Sequence, residues 1–174
     1  MTSIETIEKI CGNIKNRKGV KSYIALVEEC GVLSIGAPIA EVPGTPESYH
    51  SIDSITLKPD YHFETWYGRK KDADFSFEDD GEQDEEIVKI AGNLYIPKID
   101  GFKTSITNKA RGNEFIVLMW DENDPTPRIL GEIGNGVTIK VKEQYNAKNG
   151  YVLTFAGDMV EKPYWFRGTI PYEV

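Results

Sequence analysis

Along most of this chain, apolar and polar residues alternate with the period of β-strands. VTIKVK, residues 137–142, puts Val137, Ile139 and Val141 on one face and Thr138, Lys140 and Lys142 on the other. YVLTF, residues 151–155, gathers Tyr151, Leu153 and Phe155 in the same way. Just before it stands Asn149-Gly150. A type I′ turn needs positive φ at both central residues, which Asn tolerates and Gly adopts freely, so VTIKV and YVLTF read as a hairpin closed by that structural turn. EFIVLMW, residues 114–120, is apolar throughout and of strand length, which predicts a strand covered on both faces. VKSYIALVEECGVLSI reads as an extended, mostly buried run. SIDSITLKPDYHFETWYGRK reads as two strands about a turn at Lys58-Pro59-Asp60, with Ile52, Ile55 and Leu57 before it. After the turn, Tyr61, Phe63 and Thr65 share a face. EIVKIAGNLYIPKI is a further strand, and KPYWFRGTIPYEV an aromatic-rich closing one.

Two segments carry helical spacing instead. Ile4, Ile7, Ile10 and Ile14 recur at helical intervals, with Thr2 and Glu5 in capping-box register, so residues 1–18 are read as a short helix or an arm. Phe102, Ile106 and Ala110 are spaced by four, with Asp100 before them and Gly112 after, which predicts a short helix capped at both ends. The total is eight to ten short strands and one or two short helices. That pattern predicts a mainly β fold, an antiparallel sandwich or barrel with short flanking helices. A length of 174 residues suits one domain over 1–174 with a real core.

Charge changes the picture in one place. The formal net charge is −8, yet DADFSFEDDGEQDEE, residues 72–86, holds nine carboxylates and no base. Without it the chain has 19 acids against 20 bases, a nearly neutral body. Nine like charges repel in compact packing, so 72–86 is read as a solvated acidic loop, preceded by Arg69, Lys70 and Lys71. No basic face suited to gripping nucleic acid is present.

Sequence signatures of chemistry are few. There is no G-x-S-x-G, Walker loop or H-E-x-x-H. GEIGNGV runs into alternating VTIKVK rather than a helix, so its glycines read as turns and not as a phosphate loop. An EF-hand register from Asp72 would need Gly at Phe77 and Glu at Gln83. Trp66, Trp120 and Trp165 suggest sugars, but nothing selects two catalytic carboxylates from 28. Cys11 and Cys30 read as free thiols, and His50 and His62 as ordinary histidines. The expectation is a protein that is not an enzyme, with no catalytic residue, metal or cofactor. No stretch approaches the ~18 apolar residues of a membrane helix, and none reads as a signal peptide, so no membrane is expected as a partner.

The order of features in the second half resembles a known family. VLMWDEND, ILGEIG, VTIKVK, NAKNGYVLTFAG and KPYWFRGTI follow one another as in the phage tail tube (major tail) proteins of phages and prophages of Bacteroides-like hosts. GVKSYIALVEECGVLSI and SIDSITLKPDYHFETWYG resemble that family's opening strand and hairpin. Lys148 stands where the family would carry arginine, and the acidic run is heavier. The resemblance implies a virion structural protein, assembled in the host cytoplasm into the tail. Its subunits would form hexameric rings that stack into a tube, an architecture shared with the type VI secretion ring protein. Its partners would be copies of itself, other tail proteins and passing DNA. Assembly contacts are then expected at Arg69, Lys70 and Lys71, at Asp79, Asp80, Glu85 and Glu86, and at Trp165. The acidic segment would keep the free subunit soluble, order on a neighbouring ring, or line the lumen. The alternative reading is a non-enzymatic β-sandwich or barrel that binds a carbohydrate or small ligand.

Overall fold

The computed structural model describes residues 20–40, 43, 50–69, 72–81, 87–122, 124–145 and 149–172. The segment read as an N-terminal helix or arm therefore lies outside the described residues. The strands are β1 (Val20–Glu28), β2 (Val32–Ile35), β3 (Ser51–Ile52), β4 (Ile55–Leu57), β5 (Glu64–Tyr67), β6 (Asp74–Asp80) and β7 (Ile87–Pro97). After helix α1 (Gly101–Lys109) come β8 (Glu114–Asp121), β9 (Arg128–Leu130), β10 (Val137–Gln144), β11 (Gly150–Met159) and β12 (Trp165–Phe166). The architecture is mainly β, as the alternation predicts, and takes the form of a curled, open sheet with one α-helix among the described residues.

Ten strands form one sheet in the order β3-β12-β9-β8-β10-β11-β7-β6, with β1 also on β8 and β5 on β1. A second, two-stranded sheet pairs β2 with β4. Strand β8 is the hub. Strand β1 pairs along nearly its whole length, while β10 and β9 share its other edge at Phe115 and at Val117–Met119 respectively. At Gly131 the chain leaves that edge with φ +92, and an added Cβ would sit 2.9 Å from the Phe115 carbonyl oxygen.

Both central strands serve two cores, which is why their sequences are apolar in nearly every position. Ile24 and Leu26 of β1, with Phe115, Val117 and Met119 of β8, face the larger core, closed by β7, β10, β11 and α1. Ala25 and Val27, with Ile116, Leu118 and Trp120, face a smaller core under β2, β3, β4 and β12. Tyr61 and Phe63 join the smaller core. Trp66, on the opposite face of β5, is completely buried in the larger one.

Three expectations need correction. Residues 72–86 are not all loop, because Asp74–Asp80 form β6, antiparallel to β7 from Asp74↔Asn93 to Asp80↔Ile87. Phe75 and Phe77 alternate with the acids and pack on the larger core. Same-face carboxylates then stand about 7 Å apart, a separation that solvent and salt screen. Next, Asn149-Gly150 is not a two-residue turn. Asn149 has φ 28°, but Gly150 is not among the positive-φ glycines and already pairs with Gln144. VTIKV does pair with YVLTF, as in Val141↔Leu153. Last, the closing strand shrinks to Trp165–Phe166, parallel to β3.

Helix α1 forms where its spacing predicts, with Ile106 and Ala110 buried while Phe102 stays half exposed. Asp100 caps it by accepting the Lys103 N–H at 2.9 Å. That hydrogen bond, aided by the Lys103 ammonium 3.3 Å away, holds the Asp100 carboxyl below the usual 3.8. A depressed folded pKa stabilises fully above the unfolded value and is lost as pH falls through the folded one. Asp100→Ala should therefore lower stability by about 1 kcal/mol at neutral pH, and by less below about pH 4. Urea titrations of both proteins across that range check it. A cost that does not change with pH would exclude the charged cap.

Candidate functional site

Strands β10, β11, β7 and β6 form a continuous antiparallel meander. Its outward face can be read across the registers: Lys140 stands beside Thr154, Thr154 beside Asn93, and Asn93 beside Asp74. Each border of the meander presents open backbone. Strand β6 ends the sheet path, so its far edge has no strand partner among the described residues. Strand β10 meets β8 only at Val137 and Thr138, which leaves its remaining residues unpaired on that side among the described residues. The two borders differ in charge. Strand β6 exposes Asp74, Glu78, Asp79 and Asp80, while β10 exposes Lys140 and Lys142 together with Glu143 near its end. Among the described residues, neither lysine has a carboxylate within ion-pair distance.

The described side chains among those expected at assembly contacts are engaged within their own chain. Arg69 follows β5, where its N–H donates to the Tyr95 carbonyl at 2.6 Å and spans the gap between β5 and β7. Its guanidinium lies 5.1 Å from the Tyr95 ring centroid and 3.7 Å from Asp72. Asp79 pairs with Lys162 at 3.0 Å. Asp80 pairs with Lys89, which holds the carboxyl low and pushes the ammonium up. Trp165 has the Arg128 guanidinium 4.1 Å from its ring centroid, and the same cation lies 5.7 Å from Phe77. Arg128 thus ties β9 and β12 to β6 by cation–π contact. Lys70, Lys71, Glu85 and Glu86 lie outside the described residues. Asn149 and Gly150 sit at the foot of β11, where a Cβ on Gly150 would meet the Ile96 carbonyl oxygen at 2.4 Å.

Sequence reasoning missed both borders. The signal for β6 was present in Ala73, Phe75 and Phe77 at period two, hidden under the charge count. For β10 there was none, because only the pairing shows where β8 stops covering it.

No family model, curated protein or solved structure matches this chain. Two concave features among the described residues bear on a ligand. A crevice lined by Glu28, Tyr61, His62 and Glu64 has a volume of about 20 Å³, room for a single water. Buried Glu64 there is hydrogen-bonded to His62. Beside it, Cys30 contacts Glu28 at 3.6 Å and the Tyr61 hydroxyl at 3.7 Å, and the thiol contact is the main cause raising the Tyr61 pKa. Among the described residues no three His, Cys, Asp or Glu converge to hold a metal ion. The larger feature is an apolar groove of about 240 Å³ between β2, β3, β9 and the Gly131–Gly136 turn, lined by Ile35, Ile52, Ile129, Ile133, Met159 and Tyr164. Glu161 hydrogen-bonds the Tyr164 hydroxyl and pushes its pKa up to about 12. Among the described residues, no helix is long and apolar enough to cross a membrane.

Proposed function

We propose that this protein is a self-assembling structural subunit of the tail-tube type, whose copies join edge to edge into rings that stack into a conduit for DNA. The observation that carries the reading is the pair of open borders of the β10-β11-β7-β6 meander, one acidic and one basic. A strand edge with unpaired N–H and C=O groups invites another strand. The β6 border of one copy against the β10 border of the next satisfies both. It also sets Asp74 and Glu78 near Lys140 and Lys142. Pairing β6 with another β6 sets acids against acids, which disfavours a two-fold dimer. A contact between unlike borders is heterologous, and such contacts close into rings when the rotation permits.

Charge reversal is the test. The unaltered protein is expected to form rings of about six copies by light scattering and negative-stain microscopy over a hundredfold concentration range. Lys140→Glu with Lys142→Glu should leave a folded monomer. Adding Asp74→Lys and Glu78→Lys to that variant should restore the rings. Rings that survive the first pair of changes, or an unaltered protein that stays a monomer throughout, would count against the proposal. The second reading, a binding module for a carbohydrate or small ligand, draws on the apolar groove. A monomer whose melting temperature rises with such a ligand would favour it.

A further inference from the structure

The apolar groove joins hydrocarbon walls to one uncommitted charge. Ile35, Ile52, Ile129 and Met159 line it, and Ile133, also in the lining, is 49% exposed. Even the Gly131 N–H, where the turn begins, is met by a soft acceptor, the Met159 sulfur at 3.4 Å. Glu132 lines the groove as well. Its Oε1 accepts the Val160 N–H at 3.1 Å, and its Oε2 has no hydrogen-bond partner among the described residues. Glu29 accepts the Gly134 N–H of the same turn at 2.7 Å. The Tyr164 hydroxyl donates to Glu161, and that bond, burial and the charges of Glu161 and Glu132 push the phenol up to about 12. Among the described residues no lysine or arginine lines the groove. Lys162, two residues past Val160, gives its ammonium to Asp79 of β6 at 3.0 Å.

We propose that this groove binds a small organic cation, a protonated amine on a compact apolar body. Size fits: an apolar cavity of about 150 Å³ holds benzene, and the groove has about 240 Å³. The walls take the hydrocarbon out of water, and the ammonium donates to the free oxygen of Glu132. A neutral ligand of the same shape would strip water from that carboxylate and return nothing to it. An anion would meet Glu132, Glu29 and Glu161 together. Tyr164 adds an aromatic surface that attracts a cation, and its ring is already held, stacked on His50 with centroids 4.0 Å apart. The inference rests on the second reading above, the groove as a ligand site, and not on ring formation, because none of the border residues lines the groove.

Three probes of one chain length separate charge from shape: hexylammonium, 1-hexanol and hexanoate. Each is titrated into the full chain at neutral pH, where the carboxylates are ionised and the amine protonated, and the amide shifts of Ile133 and Gly134 are followed by NMR. Hexylammonium should bind about tenfold more tightly than 1-hexanol, and hexanoate should not saturate. Glu132→Gln keeps an acceptor for the Val160 N–H. It should bring hexylammonium to within about twofold of 1-hexanol and leave 1-hexanol unchanged. Ile133→Ser, at an exposed position, should weaken hexylammonium and 1-hexanol alike. Equal binding of these two probes by the unaltered protein overturns the inference while the groove stands as a ligand site. A preference for the cation that survives Glu132→Gln overturns it too. No shift with any probe overturns the inference and the ligand-site reading together.

Discussion

Replacing Trp66 by alanine is expected to remove about 3–5 kcal/mol of stability, a large part of what a domain of this size has. Trp66 is completely buried, pairs with Ile24 across β1–β5, and sits in the larger core. Strand β5 lies at the end of the sheet beyond β1, so the indole is what fills the space between that end and the core. The cost combines lost transfer free energy with a cavity whose walls, held by strand ladders, collapse poorly. Phe102→Ala is the control, since that ring is 54% exposed and its loss should stay within about 0.5 kcal/mol. Urea unfolding of both variants gives the comparison. A Trp66→Ala loss below about 1.5 kcal/mol would mean that the end of the sheet is not packed as described.

The second large effect is expected at Gly150. A methyl there would stand 2.4 Å from the Ile96 carbonyl oxygen and 2.7 Å from the Tyr95 hydroxyl. Neither has room to retreat, because Ile96 pairs with Tyr151 in the β7–β11 ladder and Tyr95 is itself buried. Gly150→Ala should therefore cost about 3 kcal/mol, at the upper end for overpacking. Asn149→Ala should cost less, about 1 kcal/mol, for placing alanine at positive φ. Changing both should harm folding and assembly together, since the β10–β11 register positions the lysine border. A Gly150→Ala protein that melts within a degree or two of the original would show that the strands separate easily at that end.

Those two residues also mark what the sequence could and could not convey. The hairpin was legible, because alternation over VTIKV and YVLTF is local. The reason for Gly150 was not, since it lies in β7, some fifty residues away in the chain. A turn rule sees only the residues beside the turn. Trp66 stood out as an aromatic, but the face it occupies depends on β1 lying between β5 and β8. For β6 the error was one of weighting. The carboxylates were counted while the phenylalanines between them, which decide the fold of that stretch, went unread. Trp165–Phe166 pairs with Ser51–Ile52 across more than a hundred residues in two-residue strands, too short for any period to register. Of the candidate site, the acids and bases were visible singly. Their arrangement as opposite borders exists only once the strand order is known.

The four strands between those borders also set a gauge. At about 4.8 Å per strand, one copy joined through both edges contributes an arc of about 19 Å. Six copies give a backbone circumference of about 115 Å and a diameter of about 37 Å, before tilt widens it. Each copy added or lost changes that diameter by about 6 Å. The bore of such a ring takes only discrete widths, and strand count, not side-chain size, selects among them.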